Sequence, residues 1–210
     1  KTTSMIDKTF FDNVSRETMD DFYNFKSLLM KWNVEINLVS NSTIVDFMTR
    51  HVLDSVQLIK YFHSVKGKLL DIGTGGGFPG IPLAIYAKNV YPKIKFNFMD
   101  SNSKKCLFIE EVCRNLNIEA NIICGRIETI PSVDSDIIVS RALAPLPELL
   151  KYSKMHRKIN GKCLFLKGKK YKFELEAVKK HWYLSYKVYQ SVSHSDGKII
   201  EINQHSLKNK

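Results

Sequence analysis

The chain lacks most of the features that would mark a membrane, metal or disulfide protein. No stretch of its 210 residues approaches the ~18 consecutive apolar residues of a bilayer-crossing helix. Residues 1–10 are too polar for a secretory signal, so the cytoplasm is the expected location. Cysteine occurs four times, at Cys106, Cys113, Cys124 and Cys163, with no C-x-x-C spacing. In their apolar surroundings these read as reduced, buried small hydrophobes rather than metal ligands or disulfides. The six histidines form no H-E-x-x-H or similar pair, so no metal site is expected. There is no internal repeat or low-complexity segment, and the length suits one α/β domain with an appendage.

Acidic residues are also short in supply: 21 against 32 basic ones, a formal net charge of +11. That balance fits a polyanionic partner such as RNA. It equally fits compositional drift, because lysine, isoleucine and asparagine are all abundant. Arginine is the scarce cation, only 6 of the 32. Arg50, Arg126 and Arg141 nevertheless fall inside motif-like segments, where a planar bidentate fork cannot be replaced by an ammonium.

What the chain does have is the segment Leu69-Leu70-Asp71-Ile72-Gly73-Thr74-Gly75-Gly76-Gly77-Phe78-Pro79-Gly80. An apolar run ends in an acid, glycines crowd together, and an apolar helix pattern begins at Ile81. This reads as strand, tight turn and helix, with glycine where the backbone takes positive φ or meets a ligand closely. A carboxylate at the strand tip suits a ligand with positive charge and hydroxyls, as S-adenosylmethionine has. The pyrophosphate of a dinucleotide would be repelled by it. Gly75 to Gly80 does fit G-x-G-x-x-G, so dinucleotide binding and a purely structural turn both stay open.

Residues 4–63 read as helical. Phe10, Phe11, Val14, Phe22, Phe25, Leu28, Leu29 and Trp32 keep a 3.6-residue period, which breaks over 33–41 with a loop and new cap at 37–42. Phe47, Val52, Leu53, Val56, Ile59 and Phe62 form a second face, read as core packing. Strands are expected at 68–72, 94–100, 120–124, 137–140 and 162–167. Helices are expected at 79–89, 103–116 (capped by Ser103), 146–158 (its region ended by Gly161) and 173–180. Segments 183–190 and 198–202 pair as a hairpin around Ser195-Asp196-Gly197. The expected fold is α/β, a mainly parallel sheet with an antiparallel C-terminal hairpin and an N-terminal helical extension. The division falls between residues 1–65 and 66–210.

Asp100 ends the second strand about 20 residues beyond the last glycine, where an acid accepts hydrogen bonds from ribose hydroxyls. Gly125-Arg126-Ile127-Glu128 follows the third strand and can give backbone and an apolar wall to an adenine. Ser140-Arg141-Ala142 follows the fourth. Together with Gly73, Gly75 and Gly77 they converge on the carboxyl ends of the strands, where open α/β sheets bind ligands.

In these motifs the chain resembles the small-subunit ribosomal RNA methyltransferase G family. The matching segments are Lys31-Trp32-Asn33, Asn37-Leu38-Val39-Ser40, Arg50-His51-Val52-Leu53-Asp54-Ser55 and Asp71 to Pro82. Further on come Met99-Asp100-Ser101, Arg126-Ile127-Glu128, Ser140-Arg141-Ala142 and Leu166-Lys167-Gly168. They run in family order over most of the chain. Gly76 stands where the family often has proline, and lysine is unusually frequent. The resemblance implies a class I, Rossmann-like S-adenosylmethionine-dependent methyltransferase. It implies methylation of guanosine N7 in the decoding-region loop of 16S rRNA, free or within the small subunit or its precursor, leaving S-adenosylhomocysteine.

By the same resemblance Gly73, Phe78, Ile127, Glu128 and Arg141 match cofactor contacts, and Arg126, Arg141 and Lys167 match basic positions serving RNA or catalysis. Arg50 and His51 are assigned to substrate, although the four-residue step from Arg50 to Asp54 equally suits an ion pair on one helix face. Structural salt bridges are likewise the alternative for Arg126 and Arg141. Guanine N7 attacks with an in-plane lone pair and loses no proton, so no dedicated base is required. A monomer without metal is expected. The rival readings are a basic RNA- or ribosome-binding module that kept the fold without the activity, and an NAD-dependent oxidoreductase.

Overall fold

The computed structural model describes residues 9–62 and 66–208. Residues 4–8 and 63 of the expected helical run, and the residues just before the expected division at 65/66, lie outside the described residues. The N-terminal part is α1 (Arg16–Ile36), α2 (Asn41–Ile44), a π-helical stretch Met48–Leu53, α3 (Asp54–Val56) and a 3-10 turn Gln57–Tyr61. After it come β1 (Lys66–Ile72), α4 (Gly80–Val90), β2 (Lys93–Asp100), α5 (Ser103–Asn115), β3 (Ala120–Cys124) and β4 (Ser135–Arg141). The chain continues through α6 (Leu146–His156), β5 (Arg157–Lys167), α7 (Tyr171–Lys179), β6 (Trp182–Gln190) and β7 (Lys198–Leu207).

The seven strands lie in the order β3-β2-β1-β4-β5-β7-β6. β1 to β5 are parallel, and β7 is antiparallel to both β5 and β6. The strand order therefore reverses beside β1, which opens a crevice at the carboxyl ends of β1 and β4. Strand alternation divides the apolar residues between two layers. Leu69, Phe96, Phe98, Val139 and Leu164 meet α1, α4 and α5, while Leu70, Ile72, Met99, Ile138, Phe165 and Ile200 meet α6 and α7.

The N-terminal helices share the first of these cores. Phe22, Phe25 and Leu29 of α1 are fully buried with Phe78, Ile81 and Phe108. The Phe25 ring lies 5.8 Å from Phe47, 5.3 Å from Phe78 and 6.4 Å from Phe108. Polar ties reinforce the seam: Trp32 Nε1 donates to Glu111 on α5 at 3.1 Å, and Lys88 on α4 pairs with Asp21 at 2.7 Å.

Several local expectations are corrected. α1 runs past Asn33 to Ile36, because the stop signal is Asn37 in the left-handed conformation (φ 47°). α5 is capped by Asn102, whose Oδ1 accepts from the amides of Lys104 (3.0 Å) and Lys105 (3.2 Å), and Ser103 is its first residue. Gly161 does not end a helical region. It lies inside β5, which begins at Arg157, and a Cβ there would come within 2.7 Å of the Ser135 carbonyl. β7 continues to Leu207 and lies between β5 and β6, so the return strand of the hairpin is interior. Cys124 is exposed, because it ends the edge strand β3.

Truncating Phe25 to alanine should cost about 3–5 kcal/mol of stability, the range for emptying a packed aromatic site. Urea unfolding measures this directly. Because Phe78 loses its support, the glycine turn should also exchange its amide protons faster.

Candidate active site

The turn after β1 is built around a buried acid. Asp71 is wholly inaccessible; its Oδ2 accepts from Thr74 Oγ1 at 2.8 Å and from the Gly80 amide at 2.9 Å. Its Oδ1 has no partner among the described residues. The carboxyl thus braces both ends of the turn from behind and does not face a ligand, which corrects the reading of a ligand-facing acid at the strand tip. Strand alternation is the cause, since Asp71 points with Leu69 into the α4 side of the sheet. Burial raises its pKa to about 7 against the opposing hydrogen bonds from Thr74 and Gly80.

Two glycines here have no substitute. Gly73 has φ +67°, and a Cβ on it would lie 2.4 Å from Leu143. A Cβ on Gly80 would lie 2.4 Å from the Phe98 ring and 2.6 Å from Asp71 Oδ2. Gly77 stands behind the wall of the site, its amide donating to the Thr74 carbonyl at 2.8 Å.

In front of the turn is a cavity of about 460 Å³. Of the expected cofactor residues, Gly73, Gly75, Phe78, Asp100, Ile127, Glu128 and Arg141 line it, and Arg126 does too; Gly77 does not. Asp100 Oδ2 accepts from the Gly75 amide and Oδ1 from the Asn102 amide, both at 2.9 Å. The acid holds two loops in place while each oxygen keeps a lone pair for a ligand hydroxyl. Tyr152, from α6, also lines the cavity. Burial and the adjoining Glu128 carboxylate raise its pKa.

Leu38 and Val39 complete the wall, with the Leu38 carbonyl 3.2 Å from where a Gly76 Cβ would be. Both residues lie in the Asn37-Leu38-Val39-Ser40 motif, whose pattern alone gives them no place in the site. The findable signal was Asn33, whose Oδ1 accepts from the Val39 amide at 2.9 Å and whose Nδ2 donates to Asn41 Oδ1 at 3.1 Å. That side chain clamps the loop over the cavity.

A second cavity, about 480 Å³, adjoins the first and shares Arg141 and Ala142 with it. Arg50, His51, Asp54 and Lys167 line this one; Arg126 lines only the first. Arg141 forms the partition. Its guanidinium carbon is 4.5 Å from the Phe78 ring centroid, a cation–π arrangement. Nη1 donates to the Arg50 carbonyl (3.2 Å) and to Asp54 Oδ2 (3.3 Å), and Nη2 to His51 Nδ1 (2.8 Å). Three of five N–H donors are thereby used, leaving Nε–H and one Nη2–H. Asp54 therefore pairs with Arg141 rather than with Arg50, so the helix-face ion pair is replaced by a long-range one.

Because a guanidinium can only donate, His51 Nδ1 is the acceptor and the ring proton sits on Nε2. Burial, with Arg141 and Arg50 nearby, lowers the His51 pKa to about 3, so it is neutral at physiological pH. Lys167 is matched internally: it pairs with Glu174 at 2.7 Å and donates to the Ala144 carbonyl at 3.0 Å. Glu174 Oε2 also accepts the Leu146 amide at the start of α6 at 2.7 Å. Among the described residues no cluster of His, Cys, Asp or Glu is placed to hold a metal ion, and no helix is long and apolar enough to cross a membrane.

The doubly wound sheet, its antiparallel final hairpin and the cavity over the first glycine turn define a class I, Rossmann-like methyltransferase fold. Solved structures agree. An S-adenosylmethionine-dependent methyltransferase from Aquifex aeolicus superposes with TM-score 0.57 at 16% identity, covering 87% of this chain and 97% of the other. A ribosomal protein L11 methylase from Lactobacillus delbrueckii subsp. bulgaricus gives TM-score 0.57 at 16% identity, covering 76% and 79%. At such identities the likeness concerns the fold. The family model for rRNA small subunit methyltransferase G matches residues 18–205, and the chain belongs to that family. Relatives named ribosomal RNA small subunit methyltransferase G include one from Ruegeria pomeroyi, 39% identical over 191 residues, 90% of this chain and 93% of that protein. Another, from Rickettsia akari, is 38% identical over 190 residues, 90% and 96%.

The buried acid gives the site a pH signature. Between an unfolded carboxyl pKa of roughly 4 and the folded value of about 7, the folded chain holds a proton that the unfolded chain has released. Stability should therefore be greatest at the acid side of that window, fall as pH rises through about 7, and then level off. One group sets a slope of at most ~1.4 kcal/mol per pH unit. Asp71→Asn keeps an acceptor for Thr74 and Gly80 but carries no charge. Its stability relative to wild type should improve from pH 5 to about pH 7 and then level off in urea titrations; a pH-independent difference would contradict the raised pKa.

Proposed function

We propose that this protein transfers a methyl group from S-adenosylmethionine to N7 of a guanosine in the decoding-region loop of 16S rRNA, releasing S-adenosylhomocysteine. The observation that carries this reading is the pair of adjoining cavities with Arg141 as their common wall. The family membership supports small-subunit rRNA as the substrate class.

The first cavity suits the methyl donor. Its volume falls in the range of small-molecule sites. Asp100 offers free acceptor positions to ribose hydroxyls, Gly73 and Gly75 let the ligand approach the backbone, and Ile127 gives an apolar wall beside Glu128. When bound, the cofactor supplies a methyl group on a positively charged sulfur. The second cavity suits the target base. Arg50, His51 and Lys167 face it, and the two spare N–H donors of Arg141 suit acceptors such as the guanine O6 edge or a phosphate. The base must be splayed out of its loop to enter.

Alignment of N7 with the methyl accounts for most of the acceleration. His51 is not needed as a base, which agrees with a ring whose basicity is lowered by burial and whose Nδ1 lone pair is already engaged by Arg141. Arg126, exposed at the rim of the first cavity, contacts the incoming nucleotide or the donor from that side. The excess of basic residues draws the chain to RNA. We place the protein in the cytoplasm as a monomer, with residues 1–65 an extension that covers the donor and residues 66–210 the methyltransferase domain. The substrate is 16S rRNA, free or within the small subunit or its precursor.

Mapping 7-methylguanosine in the rRNA of cells with and without this gene tests the proposal. Loss of a single modified guanosine supports it; an unchanged map in which the protein still binds rRNA favours the inactive RNA-binding module. In vitro, Asp100→Ala should weaken S-adenosylhomocysteine binding by about 1.5–3 kcal/mol, the range for hydrogen bonds to a charged group. Calorimetric titration reads this, and an unchanged Kd in a folded variant removes Asp100 from the donor site.

Arg126→Ala and Arg141→Ala should each lower the single-turnover methylation rate by about ten-fold or more, against a near-wild-type Lys93→Ala control. The corresponding lysine variants should recover only part, because the fork geometry is lost. Wild-type rates in both alanine variants would reduce these arginines to structural roles.

A further inference from the structure

We propose that Asp54 is the positioning and charge-compensating residue of the methyl-transfer site. It offsets the positive charge of Arg141 so that a cation can stand on either side of the wall between the two cavities. The inference rests on reading those cavities as donor and acceptor sites.

The chemistry sets the requirement. In the transfer, the sulfur–methyl bond breaks with its electron pair left on sulfur, and N7 forms the new bond with its lone pair. No proton moves. A cationic sulfonium becomes a neutral thioether, and a neutral guanine becomes a cationic 7-methylguanine. Positive charge thus begins in the first cavity and ends in the second. Arg141 lines both, with its side chain only 19% exposed. An uncompensated guanidinium there would repel the donor before transfer and the product base after it.

Of the groups that hold the guanidinium, the Arg50 carbonyl and the His51 ring are neutral acceptors; Asp54 Oδ2, at 3.3 Å, supplies the negative charge. The carboxylate is itself fixed. Its Oδ1 accepts from Ser193 Oγ at 2.5 Å and from Gln57 Nε2 at 3.0 Å. Gln57, wholly buried, also accepts the Val192 amide at 2.9 Å. Ser193, in the turn between β6 and β7, and Gln57 therefore hold the Asp54 oxygen that Arg141 does not. Such bracing exceeds what a surface ion pair needs. It keeps the carboxylate fastened to the guanidinium at the wall of the acceptor cavity, where a carboxylate free of Arg141 would draw a cationic product and slow its release.

The test compares two ligands that differ by the one charge. S-adenosylmethionine carries the sulfonium; S-adenosylhomocysteine does not. Their Kd values are measured by titration without RNA for wild type, Asp54→Asn, Asp54→Glu and Arg141→Gln. One unit charge lost several ångströms away, at an effective dielectric between protein and water, predicts a five- to ten-fold change (order of magnitude). In Asp54→Asn the ratio of the S-adenosylmethionine Kd to the S-adenosylhomocysteine Kd should rise by about that factor, with the latter Kd within about two-fold of wild type. Asp54→Glu should keep the wild-type ratio. Arg141→Gln, which removes the positive member, should move the ratio the other way.

A structural role would weaken both ligands alike. Unchanged ratios in Asp54→Asn and Arg141→Gln, whatever the change in Tm, would overturn the proposal. Because no RNA is present, failure to find 7-methylguanosine would refute the substrate assignment separately. Absence of binding of either ligand to wild type would refute the cofactor reading on which the inference stands.

Discussion

A single guanidinium, laid against the Phe78 ring and fastened by Asp54, His51 and the Arg50 carbonyl, holds three remote parts of this chain in register. Arg141 comes from the end of β4, Phe78 from the glycine turn after β1, and the other three from the helical segment that precedes the sheet. The His51 ring packs against the same ring, tilted by 33° with centroids 4.6 Å apart. A cation with so little solvent around it is costly unless it is paired and hydrogen-bonded. Here the partners are groups that are distant in sequence, so the two cavities on either side of Arg141 exist only when all of these segments are folded together.

The aromatic seam behind the site makes that possible. Phe25, Phe47, Phe78 and Phe108 join α1 and the π-helical stretch to the turn and to α5 in one apolar layer. The N-terminal helices are therefore held to the sheet by core packing, and their loop at Leu38 and Val39 becomes a wall of the first cavity. The Asn33 clamp fixes that loop at short range, whereas the packing of α1 fixes where it lies.

Charge is handled differently inside and outside the site. The chain as a whole is strongly basic, yet two largely buried cations at the cavities are matched: Arg141 by Asp54, and Lys167 by Glu174, which also accepts the first amide of α6. A long-range basic field suits capture of a polyanion, while a compensated interior suits a reaction in which positive charge moves from one small cavity to the next.

The sequence by itself determined the order of strands and helices, the glycine turn and the set of residues at the strand tips. These depend on local rules: two-residue and 3.6-residue periods, glycine where φ is positive, and an acid closing the second strand. Boundaries governed by side-chain caps or by tertiary contacts were less legible. Gly161 resembles a helix stop and is instead demanded by the Ser135 carbonyl; Ser103 resembles a cap beside the true one, Asn102. Only the tertiary structure decided which charges meet. Asp54 is four residues from Arg50 and 87 from Arg141, and it pairs with the distant one because sheet and helices bring that guanidinium over Phe78. Asp71 reads as a ligand-facing acid until strand alternation turns it inward, where burial raises its pKa and its hydrogen bonds give it a structural task. Local patterning obeys the chain's own geometry; pairing across a site obeys the packing of remote segments, which no spacing in the sequence encodes.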